Sequence, residues 1–420
     1  VRRVVGLRWW IVALISLGTI LNYLARNALG VLAPRLKSGL HFSTAEYSYV
    51  VAAFQLAYTA MQPVCGFVID SIGLRLGVTL FALIWAGANM LHAFAGGWPS
   101  LALFRGLLGV GESAAVPSGV KAVSEWFPAR ERSVAVGYFN AGTSLGALIA
   151  PPVVVFLALR YDWRAAFVVT GALGAAWALL WYVAYRPPSE HPLLGEAERA
   201  YIVDGQPPTP AVRASMAEIL RQRAFWAIAI PRFLSEPAWQ TFSFWIPLYL
   251  TTERGMDLKG LALFAWLPFL AADIGGLVGG YLSPLLIKRF NVAVIPSRVA
   301  GIGLGAVLMI GPGLVGLAAG PGWAIGLFCV GGFAHQMIST LINTLSADLF
   351  PESGVATANG LVGMAGWTGG LIFSLIVGAL ADRVGYSPLF ACLAVFDLIG
   401  AAILIVLIRG AGAGDARATA

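Results

Sequence analysis

Charge is scarce in this sequence. Asp, Glu, Lys and Arg make up 11% of its 420 residues, against about 25% in an ordinary soluble domain. That is too little to solvate the surface of a globular protein of this length. Cysteine is scarcer still. Cys65, Cys329 and Cys392 stand far apart inside apolar stretches, so they have no metal-ligand spacing and are expected to be inert core thiols. No G-x-x-x-x-G-K-[ST] phosphate loop occurs, and no nucleophile–base pair sits on a polar rim. These absences argue against an ATP-driven pump and an enzyme; no metal and no cofactor is expected. The net charge of +7 is not a nucleic-acid footprint, because Lys and Arg of membrane proteins collect in cytoplasmic loops.

Apolar residues are what the chain has in excess: 59% of it is hydrophobic, with 50 glycines and a mean hydropathy of +0.80. Stretches long enough to cross a bilayer recur twelve times, the fourth near 99–122 and the seventh near 224–250. One long polar insert, 186–223, carries Pro187, Pro188, Pro192, Pro207, Pro208 and Pro210. The expected organisation is an N-terminal six-helix bundle (1–185), a cytoplasmic linker (186–223), a C-terminal six-helix bundle (224–408) and a cytoplasmic tail (409–420). Two such halves suit a transporter that rocks around a midplane site. The first apolar run, from Trp9, is too long for a signal peptide and lacks a small-residue cleavage site. With both termini in the cytoplasm, the larger share of Lys and Arg falls on the inner segments, which favours that orientation. A monomer in the bilayer is expected.

Ionisable groups inside the apolar runs are costly to place and so mark function. Arg105 and Glu112 are seven residues apart, on one helix face about 10 Å from each other, with Gly109 between them. A cation, a gap and an acid suit an anion site with a proton carrier; a structural Arg–Glu pair is the alternative. In the first span Thr19, Asn22, Arg26 and Gly30 share a face. Arg26 keeps its charge, so it needs a substrate carboxylate, Glu112 or backbone oxygens. Gln55, Tyr58 and Gln62 in the second span, and Asn140, Thr143 and Ser144 in the fifth, either bind a polar substrate or hydrogen-bond between helices.

The seventh span places Arg232, Glu236, Trp239 and Ser243 on one face, with Pro231, Pro237 and Pro247 to bend it into a gate. Arg232 and Glu236 either neutralise each other at i,i+4 or act as charge partner and proton carrier. Trp239 either stacks on a substrate ring or packs in the core. Asp273 either partners Arg232 or carries a proton. His335 and Gln336 with Ser339 and Asn343 in the tenth span, and Asn359 and Trp367 in the eleventh, complete the candidate substrate-binding set. Asp397 is expected to be peripheral and structural.

Gly66 to Arg75 resembles the loop signature G-x-x-x-D-x-x-G-x-R of the major facilitator superfamily, with Asp70 expected to cap the next helix and Arg75 to pair across the turn. Its second-half counterpart, Gly280 to Arg289, has Ser283-Pro284 at the acidic position, and Arg105 to Gly109 resembles the fourth-helix motif. The runs QLAYTAMQPVCG (Gln55–Gly66), SEWFPARERSVAVGYFN (Ser124–Asn140), PRFLSEPAW (Pro231–Trp239), GGFAHQ (Gly331–Gln336) and VATANG (Val355–Gly360) resemble the hexuronate transporters of the anion:cation symporter branch. The resemblance covers nearly the whole chain. It implies an all-α membrane protein of twelve helices in the major facilitator superfamily fold. It further implies a symporter of the bacterial inner membrane that imports galacturonate or glucuronate with protons by alternating access. Arg26 matches an arginine found across that branch, and Ala25 stands where many members have aspartate, which leaves Glu112 as the main proton candidate. The alternatives are a symporter for another sugar acid or organic anion (galactonate, a monocarboxylate) and a ligand-sensing transceptor.

Overall fold

Helices account for nearly all of the chain because its long apolar runs have no water to satisfy their backbone and must satisfy it internally. The computed structural model describes residues 3–203, 215–257, 260, 263–264 and 266–418. Pro207, Pro208 and Pro210 of the linker, and the side chains of Ser243 and Pro247, lie outside the described residues. Among those described, ten helices are long and apolar enough to cross a membrane. The fourth and seventh of the twelve spans are built in pieces.

The first half contains α1 (Leu7–Gly39), α2 (Thr44–Ile72), α3 (Leu74–Leu91), the broken fourth span α4 (Trp98–Glu112) and α5 (Ala115–Trp126), then α6 (Ala129–Arg160) and α7 (Trp163–Ala184). Short helices α8 (Glu196–Val203) and α9 (Met216–Arg221) lie in the polar insert. The seventh span runs as α10 (Arg223–Gln240), a π-helical stretch (Thr241–Trp245) and α11 (Ile246–Thr252). The remaining spans are α12 (Leu267–Phe290), α13 (Val294–Leu308) with two short turns after it, α14 (Pro321–Leu349), α15 (Val355–Val384) and α16 (Tyr386–Ala418).

Both breaks have a chemical cause. Pro117 has no N–H to give the carbonyl of Ser113, so one helix ends at Glu112 and the next starts at Ala115. The Ser113 hydroxyl meanwhile turns back to the Val110 carbonyl at 2.7 Å. In the seventh span Pro237 likewise deprives the carbonyl of Phe233, and the π stretch follows within a turn.

The chain forms two compact units whose borders are not a single cut. Unit 1 is Val1–Pro128, Tyr138–Arg213 and Pro351–Gly360; unit 2 is Ala129–Gly137, Ala214–Phe350 and Leu361–Ala420. In unit 1, Asp70 departs from expectation. Its carboxylate accepts from Thr357 N at 2.7 Å and Thr357 Oγ1 at 2.6 Å, and Lys121 Nζ sits 2.9 Å away. It therefore caps the helix that begins at Val355, not α3, which starts at Leu74. Arg75 does not pair across the turn but donates to the Tyr182 carbonyl at 2.8 Å, with its guanidinium 4.2 Å from that ring.

In unit 2, Ser283, next to Pro284 of the degraded signature, bonds Ser297 and Arg298. Arg298, fully buried on α13, also reaches Asp348 at 3.2 Å, Ser133 Oγ at 3.1 Å and the Ala129 carbonyl at 2.5 Å. Asp397 is also buried. The insert is tied to the start of α1, where the Glu198 carboxylate accepts from Leu7 N at 3.1 Å, Arg8 N at 3.3 Å and Arg8 Nη1 at 2.8 Å.

Candidate functional site

Unit 1 concentrates its membrane charges at one place. Glu112, the last residue of α4, is fully buried and takes a hydrogen bond from Arg26 Nε at 2.6 Å. The acid two turns from Arg105 is thus paired with Arg26 of the first span and not held as a structural Arg105–Glu112 pair. Arg26 Nη2 reaches Asn22 Oδ1 at 3.4 Å, so one further member of the α1 stripe joins the cluster, while Thr19 turns back to the Ile15 carbonyl at 3.2 Å. Glu112 Oε1 has no protein partner.

Arg105 donates Nη2 to the Arg26 carbonyl at 2.7 Å, while its Nε and Nη1, both buried, have no protein partner. With all three groups ionised the cluster holds two cations against one anion. A buried guanidinium with donors to spare has the chemistry to receive an anion, because an arriving acceptor offsets its desolvation.

Aromatic rings fix the two guanidiniums. Arg26 Cζ lies 4.3 Å from the Tyr23 ring centroid, 4.8 Å from Tyr58 and 5.1 Å from Phe54. Arg105 Cζ lies 4.9 Å from that same Phe54 ring. Phe54 is therefore shared between both cations, and it stacks on Tyr58 at 5.5 Å. Gly109 lets α4 approach α2 closely enough for this, since a Cβ there would stand 2.7 Å from the Phe54 carbonyl oxygen.

Of the other unit 1 candidates, Asn140 is buried on α6 and Gln55 half-buried on α2. Asn359 also belongs to unit 1, in the Pro351–Gly360 segment. It is buried there, beside Gly360, whose backbone lies against the Gln62 carbonyl of α2.

Unit 2 arranges its polar groups differently. Arg232 Nη2 lies 2.9 Å from Glu236 of the same helix, an ion pair without hydrogen-bond alignment, and Nη1 donates to Ser339 Oγ at 2.6 Å. Gly366 of α15 makes room for the arginine stem, since a Cβ there would meet Arg232 Cγ at 2.9 Å. One turn on, Trp239 stacks with His335 at 5.6 Å and 21° and takes the edge of Phe269. Phe242 adds its edge to the imidazole. Gln336 packs on Gly276 of α12, while Asp273 and Trp367 are half-buried on α12 and α15.

Sequence reasoning missed Phe54, Tyr23 and Arg298. The spacing that would have found the aromatics is present: Tyr23 is three residues before Arg26, and Phe54 four before Tyr58.

Residues 15–365 match the family described as Major Facilitator Superfamily. The hexuronate transporter of Escherichia coli (strain K12) is 50% identical over 412 residues, which cover 97% of this chain and 95% of that protein. The galacturonate transporter of Dickeya chrysanthemi is 49% identical over 327 residues, covering 77% of this chain and 95% of the relative. Among solved structures, the fucose:proton symporter of E. coli superposes with a TM-score of 0.73 at 15% identity, over 96% of this chain and 99% of that one, a likeness of fold. Twelve spans, membrane charges gathered in both units and these relatives lead to one assignment: the chain is a multi-pass membrane transporter that belongs to the Major Facilitator Superfamily.

Proposed function

We propose that the protein is a proton-coupled symporter that imports hexuronates, galacturonate or glucuronate, by alternating access. The hexuronate and galacturonate transporters that share about half of its residues support the substrate class. The observation that carries the mechanism is the buried Arg26–Glu112 bond beside an Arg105 with two unpartnered donors. Arg105 receives the substrate carboxylate. Protonation of Glu112 weakens its hold on Arg26 and releases that guanidinium to the same carboxylate, so proton and anion favour each other's binding. Asn22, Gln55, Tyr58 and Asn140, and in unit 2 Trp239, His335, Gln336 and Trp367, are the groups proposed for the ring and its hydroxyls, with Asn359 as an accessory polar group. Arg232 with Glu236 serves as charge partner in the gate, and Asp273 is a second titratable group. The protein works as a monomer in the bacterial inner membrane with both termini in the cytoplasm, the orientation that its Lys and Arg distribution favours.

The test is uptake into proteoliposomes with an imposed pH gradient, against galacturonate, glucuronate, galactonate and lactate. A hexuronate should accumulate uphill and only while the gradient lasts. Failure of both hexuronates to compete would remove the substrate assignment, and accumulation indifferent to the gradient would remove proton coupling. Glu112→Gln should keep counterflow exchange and lose gradient-driven accumulation.

A further inference from the structure

A second ligand site lies on unit 1, away from the buried charges. The start of α1 and the end of α7 leave a groove of about 550 Å³ between them, and linker residues 191–193 form its third wall. Trp10, Leu14, Leu17, Leu180, Val183 and Leu193 line it. Several are open to the surroundings, Trp10 at 67% and Val183 at 70%. Two helices side by side in lipid give only a shallow seam; the linker closes this one at its end. That wall is built in place. Val4 N donates to the Leu193 carbonyl at 3.1 Å, and buried His191 sits with Nε2 3.3 Å from the Ala184 carbonyl and Nδ1 accepting from Leu193 N at 3.3 Å.

Arg186 stands at the closed end, two residues beyond the last residue of α7 and so at the membrane–water boundary. Its Nη1 is fixed on the carbonyls of Tyr185 at 2.8 Å and of Tyr182 and Val183 at 3.1 Å each. Among the described residues it has no carboxylate partner. A cation held by the end of a helix, without a counter-charge, at the head of an apolar trough matches one amphiphile in shape and charge.

We propose that this groove binds one anionic phospholipid, with an acyl chain along α1 and α7 and its phosphodiester on Arg186. Phosphatidylglycerol suits the site better than phosphatidylethanolamine, because the latter brings its own ammonium group to neutralise the phosphate.

Native mass spectrometry of the full-length protein, with the two lipids carrying identical chains, tests this. Phosphatidylglycerol should be retained at least about fivefold over phosphatidylethanolamine, a difference of about 1 kcal/mol. Arg186→Gln should bring that ratio near one. Ala13→Trp, which fills the groove and leaves Arg186 untouched, should lose both lipids. A preference that survives either substitution would overturn the proposal. So would displacement of the lipid by glycerol 3-phosphate, which would show an anion site that makes no use of the groove.

Discussion

The two units solve the same problem, a charge buried in a membrane protein, in opposite ways. In unit 2 the cation and the acid sit one turn apart on α10, and Arg232 neutralises Glu236 without help from another helix. In unit 1 the partners are 86 residues apart, on α1 and on the broken end of α4. A local pair forms as soon as its helix forms and persists through rigid-body motion of that helix. A pair between helices exists only while those helices keep their mutual position, so it can report that position. This is why we assign proton coupling to Glu112 and leave to Glu236 the role of a charge partner.

That contrast can be broken or sharpened by substitution. The largest effect should come from Arg26→Gln, which strands Glu112 in the core and is expected to cost about 3–5 kcal/mol. The readout is the Tm of the purified protein, and Arg26→Gln combined with Glu112→Gln should recover most of the loss. Equal damage in the double variant would mean that the guanidinium matters for packing and not for the charge. Next is Gly109→Ala, where a methyl would press on the backbone of α2; about 1–3 kcal/mol is expected, read as a lower Tm with raised KM. Gly366→Ala in unit 2 should cost less, because it meets an arginine stem that can shift and not a backbone. Phe54→Leu keeps the volume but removes the ring between the two guanidiniums. At about 0.5–2 kcal/mol for a cation–π contact, KM for the hexuronate should rise with kcat nearly unchanged, and Phe54→Tyr should restore it. The smallest effect should belong to Glu236→Gln, which should still accumulate substrate under a pH gradient. Loss of coupling there, measured beside Glu112→Gln in the same vesicles, would reverse the assignment of roles.

What the sequence made legible divides along physical lines. Arg26, Arg105, Glu112, Arg232 and Glu236 stand out because a charge in an apolar run is improbable without a use. The i,i+4 spacing of Arg232 and Glu236 offered their pairing as one of two readings. The partner of Glu112 was one of several candidates, since nothing in a linear pattern brings residue 26 to residue 112. Phe54 is silent for another reason: an aromatic residue in an apolar helix carries no local signal, and its role exists only through two arginines on other helices. Asp70 was read as a cap, correctly in kind, but the helix that it caps begins 285 residues later. Arg298 lies near the start of a span and gives no signal of its own, yet it is fully buried and bonds to α6, α12 and α14.

The tie between Glu198 and the start of α1 has a consequence in time. The carboxylate that accepts from Leu7 N lies 191 residues further along the chain. At a synthesis rate of about 5–20 residues per second, the first span waits roughly 10–40 s on the ribosome before its cap is even made. Through that interval the leading turn of α1 must rely on water or lipid headgroups for its open N–H groups. The first six spans are thus all synthesised before the clasp that fastens the first of them, and the linker acts as the closing step in the biogenesis of the half that precedes it.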